Sequence, residues 1–380
     1  MSPFANLLDQ FKAYREKMPA PVSFEALHRE IKGVHPTLHL IDGAKFELTS
    51  MLSPNFMVSH SFAWGSSNHQ QPPSYHFGAG YHTAKYMMHG QVDHDGNLSA
   101  RANYNWIPAP TPVQPTDPNT PPPPPPTPRH GSSSKFQGQF SGHPENNMFM
   151  LEHEYLNNDF TINVRAINPN PIASPASYVA SNPPPKGRTH PSAVTGIYSV
   201  SYLQSVSKSL SLGGEFTLQR LTADMDEPST TLALRYAPPA SELPAPTSLP
   251  PGMPSPYMPI NPNDPTQVFT TTFSPSTGML HASYWRRLNQ RLEVAAETQM
   301  LMTPAGARGE GRREGIAAVG FKLDTVHSTI RGMFDSHGKV SAHIEERMAP
   351  GLTFQISGEI DYAKGAGGAG RVGVGFTLEA

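Results

Sequence analysis

From Lys45 onward the chain alternates hydrophobic and polar residues with a period of two. In "NLSARANYNW" Leu98, Ala100, Ala102, Tyr104 and Trp106 share one face, and Asn97, Ser99, Arg101, Asn103 and Asn105 share the other. The same pattern runs through "KFELTSML", "FMVSHSFAWG", "FMLEHEY", "LSLGGEFTLQ", "RLEVAAETQM", "LTFQISGEIDY" and the closing "RVGVGFTL", with turn signals such as "SPN" and "DHDGN" between segments. Such alternation is the signature of strands with one apolar and one polar face, and the tally is about nineteen.

The first 44 residues read differently. Phe4, Leu7, Leu8, Phe11 and Tyr14 recur at helical spacing until Pro19 and Pro21 interrupt them, which predicts a short amphipathic helix. A second helix is predicted over about 23–32, with Ser23 as N-cap, Phe24, Leu27 and Ile31 on one face, a Glu25–Arg29 pair and Gly33 as the stop. The expected organisation is an N-terminal helical segment over 1–44 and a strand region over 45–380. Three proline-rich loops interrupt the latter, at about 108–134, 168–190 and 237–265.

The polar face chooses the architecture. It is long, rich in charged and amide side chains, and present on nearly every strand with no helices to cover it. A single closed sheet, apolar outside and wet inside, fits this better than a soluble β-array or propeller. No segment approaches the roughly eighteen apolar residues of a spanning helix, but that test is blind to spanning strands. Closure requires the last strand to pair with "KFELTSML", in parallel if the strand number is odd; the alternation alone leaves parity open.

Composition narrows the function. The 380 residues include 42 Pro and no Cys, with a net charge of −2. Nucleic acid is therefore not an expected partner, and thiolate chemistry and cysteine-ligated metals are absent. The N-terminus lacks a basic region followed by an apolar one, so it reads as retained. "GAGGAG" at Gly365–Gly370 matches a dinucleotide fingerprint, but a strand and not a helix follows it. The 17 His residues show no metal-ligand spacing, and no GxSxG elbow is present. No enzyme, cofactor or metal site is expected. By alternation Glu47, Asp93, Glu152, Glu154, Glu215, Glu293, Glu297, Glu345, Glu359 and Asp361 face inward, with Lys45, Arg101, Arg165, Lys322 and Arg331 among the inward cations. They read equally as a solvated wall or as weak sites for a cationic polymer.

"SFEALHREIKGVHPT", "GAKFELTSMLSPNFMVSHSF", "GNLSARANYNW", "SYLQSVSKSLSLGGEF" and "VGVGFTL" together resemble the channel subunits of the TOM complex, the protein translocase of the mitochondrial outer membrane, within the eukaryotic porin superfamily. The resemblance covers nearly the whole chain apart from the proline-rich loops. It implies an all-β membrane protein, a nineteen-stranded barrel with a parallel seam and the "SFEALHREIK" helix inside the pore. It also implies a channel for unfolded precursor proteins carrying presequences or internal signals. The partners implied are receptor subunits, small single-helix subunits, membrane lipids and further copies of the barrel. Arg371, Gly373, Phe376 and Leu378 match the family's C-terminal sorting signal. The alternative is a metabolite or anion pore of the mitochondrial porin type, for which a basic excess inside is expected in place of the acid-rich wall.

Overall fold

In the computed structural model the described residues are 14–15, 18–65, 72–107, 131–142, 147–170, 195–222, 225–238, 265–302, 313–363 and 370–380. Each alternating segment forms a strand. The first seven are β1 (Gly43–Ser53), β2 (Phe56–Trp64), β3 (Ser74–His82), β4 (Tyr86–Asp93), β5 (Leu98–Asn105), β6 (Gly131–Phe140) and β7 (Met148–Leu156). The next six are β8 (Phe160–Asn170), β9 (Thr195–Ser205), β10 (Leu210–Thr222), β11 (Met225–Tyr236), β12 (Gln267–Ser274) and β13 (Met279–Arg287). The last six are β14 (Leu292–Met302), β15 (Arg313–Asp324), β16 (Ser328–Asp335), β17 (Lys339–Ala349), β18 (Leu352–Asp361) and β19 (Arg371–Glu379).

Consecutive strands pair antiparallel, as short turns between period-two segments dictate. The nineteen-stranded sheet then closes on itself through a parallel β1–β19 seam running from Gly43↔Gly373 to Thr49↔Glu379. Closure removes the free edges that a sheet would otherwise expose. The odd strand number, left open by alternation and implied by the family resemblance, is thereby established.

The faces sort as the alternation requires. Phe46, Phe62, Phe354 and Phe376 are neighbours on the outer face beside the seam, with Phe46–Phe62 and Phe354–Phe376 ring centroids 6.3 and 4.9 Å apart. Lipid-facing side chains such as Val319, Phe334, Ile360 and Val372 are exposed because nothing in the chain covers them. No helix among the described residues is long and apolar enough to cross a membrane; the strands do the crossing.

β6 begins at Gly131, inside the stretch expected to be loop up to 134. Ser132 and Ser134 point outward there, and Ser134 accepts from the Trp106 indole at 2.8 Å and bonds the His153 ring at 2.9 Å. These side-chain partners extend the pairing beyond the apolar stretch. "GAGGAG" lies outside the described residues except for Gly370.

The residues ahead of β1 form short turns. A 3₁₀ turn covers Phe24–Ala26, the helix α1 covers Arg29–Val34, and a second 3₁₀ turn covers Pro36–Leu38. The expected continuous helix is thus broken at His28 and ends at Val34, past Gly33. Its end is set by Pro36, which forces His35 into an extended conformation with φ −71° and ψ 136°. The expected Glu25–Arg29 pair does not form: Glu25 binds Arg165 of β8, and Arg29 lies 3.2 Å from Glu30. Of the first predicted helix, only Tyr14 and Arg15 lie within the described residues.

Candidate functional site: the pore wall

Strand alternation puts the polar faces of all nineteen strands toward one lumen, and the segment before β1 crosses that wall as a belt. Arg15 pairs with Asp159 in the turn before β8. Thr161 of β8 donates to the Pro21 carbonyl at 2.8 Å, and Ser205 of β9 donates to that of Pro19 at 2.7 Å. Leu27 packs with Leu203 and Ala233, with Phe24 against the same group. Ile31 and Val34 pack with Val268, Trp285 and Ala295 of β12, β13 and β14. Arg331 of β16 donates to the Gly33 carbonyl at 3.2 Å, and the His39 and His343 rings stack 5.4 Å apart. At Ile41 the Ser357 hydroxyl accepts from the backbone N–H at 2.7 Å and donates to the carbonyl at 3.0 Å. A Cβ on Gly373 would collide with the Ile41 carbonyl, so only glycine lets the belt lie against β19. All these contacts fall on β8–β19 or the turn before β8, and among the described residues no part of the belt covers the wall from β1 to β7.

The belt is fixed by charge as well as by apolar burial. Arg235 of β11, 5% exposed, donates to Glu30 at 2.6 and 3.1 Å and to the Leu27 carbonyl at 2.9 Å. Thr270 donates to that same carbonyl at 3.3 Å. The wall thus takes up the Leu27 carbonyl where the helix would otherwise continue through it, which accounts for the break at His28. Burial raises the Glu30 carboxyl, but the Arg235 guanidinium outweighs this and holds it below its ordinary value. His28 bonds Ser283 at 2.8 Å and stacks on His281 at 3.9 Å. Burial, followed by the His281 ring, pushes its pKa down to about 4. His35, 2% exposed, faces Glu297 at 3.3 Å, and His281 reaches the same carboxylate at 3.4 Å.

Phe24, Leu27 and Ile31, predicted as one face, do point into this seat. Its wall half was missed by the sequence reading, and a signal was present: Leu203, Val268 and Trp285 are apolar residues on the polar face of their strands.

The predicted inward acids, Glu215 apart, have partners. Glu47 binds Lys45 at 2.6 Å, Lys135 bridges Glu152 and Glu154 at 2.9 and 3.5 Å, and Glu293 meets Arg287 at 3.1 Å. Glu345 meets Arg331 at 3.6 Å, and Glu359 meets Arg371 at 2.7 Å and Lys339 at 3.6 Å. Asp93 lies 3.6 Å from His76 and 2.7 Å from His94, and Asp361 hydrogen-bonds the Ala363 backbone N–H at 3.1 Å. Glu152 and Glu359 are walled in at 4% and 7% exposure. Glu215, half-buried between Ser201 and Thr231, has no ion pair among the described residues. Asp93, His94 and Asp95 also bring their ligand atoms within 4.8 Å of one another at the turn after β4, a grouping the sequence reading passed over.

The profile of the eukaryotic porin family matches residues 20–111 and 128–373. The chain belongs to the eukaryotic porin family. The matched span takes in β1–β18, the first three residues of β19 and most of the belt. It is similar to mitochondrial import receptor subunit tom40 of Neurospora crassa, 26% identical over 99% of this chain and 89% of the relative. It is also similar to the subunit TOM40 of Saccharomyces cerevisiae, 25% identical over 97% and 81%. The TOM40 homolog of Xenopus tropicalis is 23% identical over 96% and 87%.

Proposed function

We propose that this porin barrel is a protein-conducting channel of the mitochondrial outer membrane that passes unfolded precursor proteins. The observation that carries this reading is similarity to mitochondrial import receptor subunits along almost the entire chain, belt included. A closed barrel with a polar lumen supplies the aqueous path an unfolded chain needs, and no bond is made or broken. Receptor subunits, small single-helix subunits and precursors with presequences or internal signals are its proposed partners in the TOM complex, alongside membrane lipids and further copies of the barrel.

The acids that reach the lumen, which leaves out the walled-in Glu152 and Glu359, act in this reading as exchangeable sites. A basic presequence meets carboxylates already held by wall cations, and ion pairs in a wet lumen are worth only about 0–1 kcal/mol each. The chain is held briefly and released. Glu215, which needs no exchange, is the strongest single candidate. Arg371, Gly373, Phe376 and Leu378 are proposed as the sorting signal read during assembly.

The test is reconstitution in planar bilayers with a basic presequence peptide added on either side. Voltage-dependent block that weakens with salt supports the reading. An open channel selective for small anions, with no block by the peptide, favours the metabolite pore instead.

A further inference from the structure

Among the described residues the belt leaves β1–β7 uncovered, and the charges of that wall are not evenly neutralised. Three Lys or Arg residues stand in those strands. Lys45 is tied to Glu47 at 2.6 Å and Lys135 to Glu152 at 2.9 Å. Arg101 is exposed to the lumen and has neither an ion pair nor a hydrogen bond among the described residues.

Arg101 stands at a hollow of about 510 Å³ in the wall. Register explains the hollow: Met57 lies opposite Gly80, Gly80 opposite His89, His89 opposite Arg101, and Arg101 opposite Gln137. Gly80 contributes no side chain to this row. A Cβ there would come within 2.9 Å of Met57 Cγ, so the Met57 side chain leans into the space that the glycine leaves. Gln91 and Met87 are among the other residues that line it, and no carboxylate takes part.

We propose that this hollow is a carboxylate-binding subsite for an Asp or Glu side chain of a polypeptide in transit; the proposal rests on the reading of the barrel as a protein channel. The planar Arg101 fork matches a carboxylate with two parallel hydrogen bonds. His89, Gln91 and Gln137 supply further N–H donors around it. Met57, unbranched and adaptable, receives an apolar residue next to the acid. Precursor chains carry both charge signs, and a wall offering only acids as sites would engage only their basic segments. An unpaired guanidinium on the uncovered side gives acidic segments a matching foothold.

The test uses the full chain in planar bilayers and three probes. One is a short unfolded peptide of paired Leu and Glu residues, the second is its counterpart with Gln for every Glu, and the third is a basic amphipathic peptide. The Glu peptide should reside in the pore roughly fivefold longer in the unsubstituted channel than in Arg101→Gln, the scale of one solvent-accessible ion pair. Arg101→Lys should recover most of that residence, and the Gln peptide should not distinguish the three channels. Equal residence of the Glu peptide in the unsubstituted and Arg101→Gln channels, or equal residence of the Glu and Gln peptides, overturns the subsite. If the basic peptide blocks normally in that case, protein passage survives and only the subsite falls. If the basic peptide blocks neither channel, the underlying reading fails and takes the subsite with it.

Discussion

Replacing Arg235 by Gln should loosen the belt around Leu27–Glu30. Arg235 holds both Glu30 oxygens and the Leu27 carbonyl, and the side chains of the ion pair are only 6% and 13% exposed. Breaking a buried pair from one side costs about 3–5 kcal/mol, because the abandoned charge stays desolvated. The apolar anchor beside it, Leu27 against Leu203 and Ala233, contributes about 1.5–3 kcal/mol. The loss exceeds the anchor, so Leu27–Glu30 should lift from the wall, while Ile41 remains clamped by Ser357 and Pro19 and Pro21 stay bonded to β9 and β8. A spin label at Arg29, whose side chain is 63% exposed, reports this as a change from a broad to a sharp line shape. The double variant Arg235→Met with Glu30→Met should return the broad line, since apolar replacement of both partners removes the stranded charge. An unchanged line in Arg235→Gln, or a sharp line in the double variant, refutes the reasoning.

Acidification should loosen the same label. His28 titrates near 4 when docked against an ordinary 6.5, so docking is fully supported above pH 6.5 and loses support as pH falls toward 4. The shift sets a ceiling of about 3 kcal/mol, which solvent screening of the partly exposed ring reduces to about 1–2. His281, Lys32, Arg235 and Glu297 face the ring, and His28→Asn should flatten the profile; loosening on raising the pH would contradict it. Phe376→Asp puts a charge on the lipid face and should stall assembly of labelled protein into the membrane complex. Gly373→Val should also stall it and, in detergent-refolded protein, should expose residue 41 to protease; normal assembly of both variants would remove the proposed signal. Labels at Leu98 and Ala102 should sense hydrocarbon, whereas a label at Asn103 should be quenched from water, and equal aqueous access to all three would defeat the barrel.

Period-two alternation made the wall legible, because each strand carries its own facing information. Contacts between strands were not legible, because they depend on register. Lys135 neutralises Glu152 because the two lie directly opposite, as Arg371 and Glu359 do; alternation gives the side that each faces but not the neighbour it meets. The helical spacing of Phe24, Leu27 and Ile31 correctly marked an apolar face. It did not reveal the break at His28, which arises from wall donors that compete for the Leu27 carbonyl. The helix end was misplaced for a local reason: a glycine was read as the stop, while the conformational demand of Pro36 on His35 governs.

The parallel seam joins the first strand of the barrel to the last, and its contacts bridge gaps as long as the 330 positions between Glu47 and Thr377. Every other pairing is available as soon as its neighbour emerges, but β1 must wait with one edge unsatisfied until the whole sheet exists. The wait carries an entropic cost that grows slowly with length and a danger of misregistration, since a slip of one residue turns the apolar side chains of β19 into the water. The Ser357 clamp bears on both problems. By gripping Ile41 two residues before Gly43, it delivers the start of β1 to Gly373 and converts a long-range search into a short local one. A slip of two toward Arg371 would drive the belt carbonyl into a bulky side chain. The glycine that admits Ile41 therefore also measures where the seam begins.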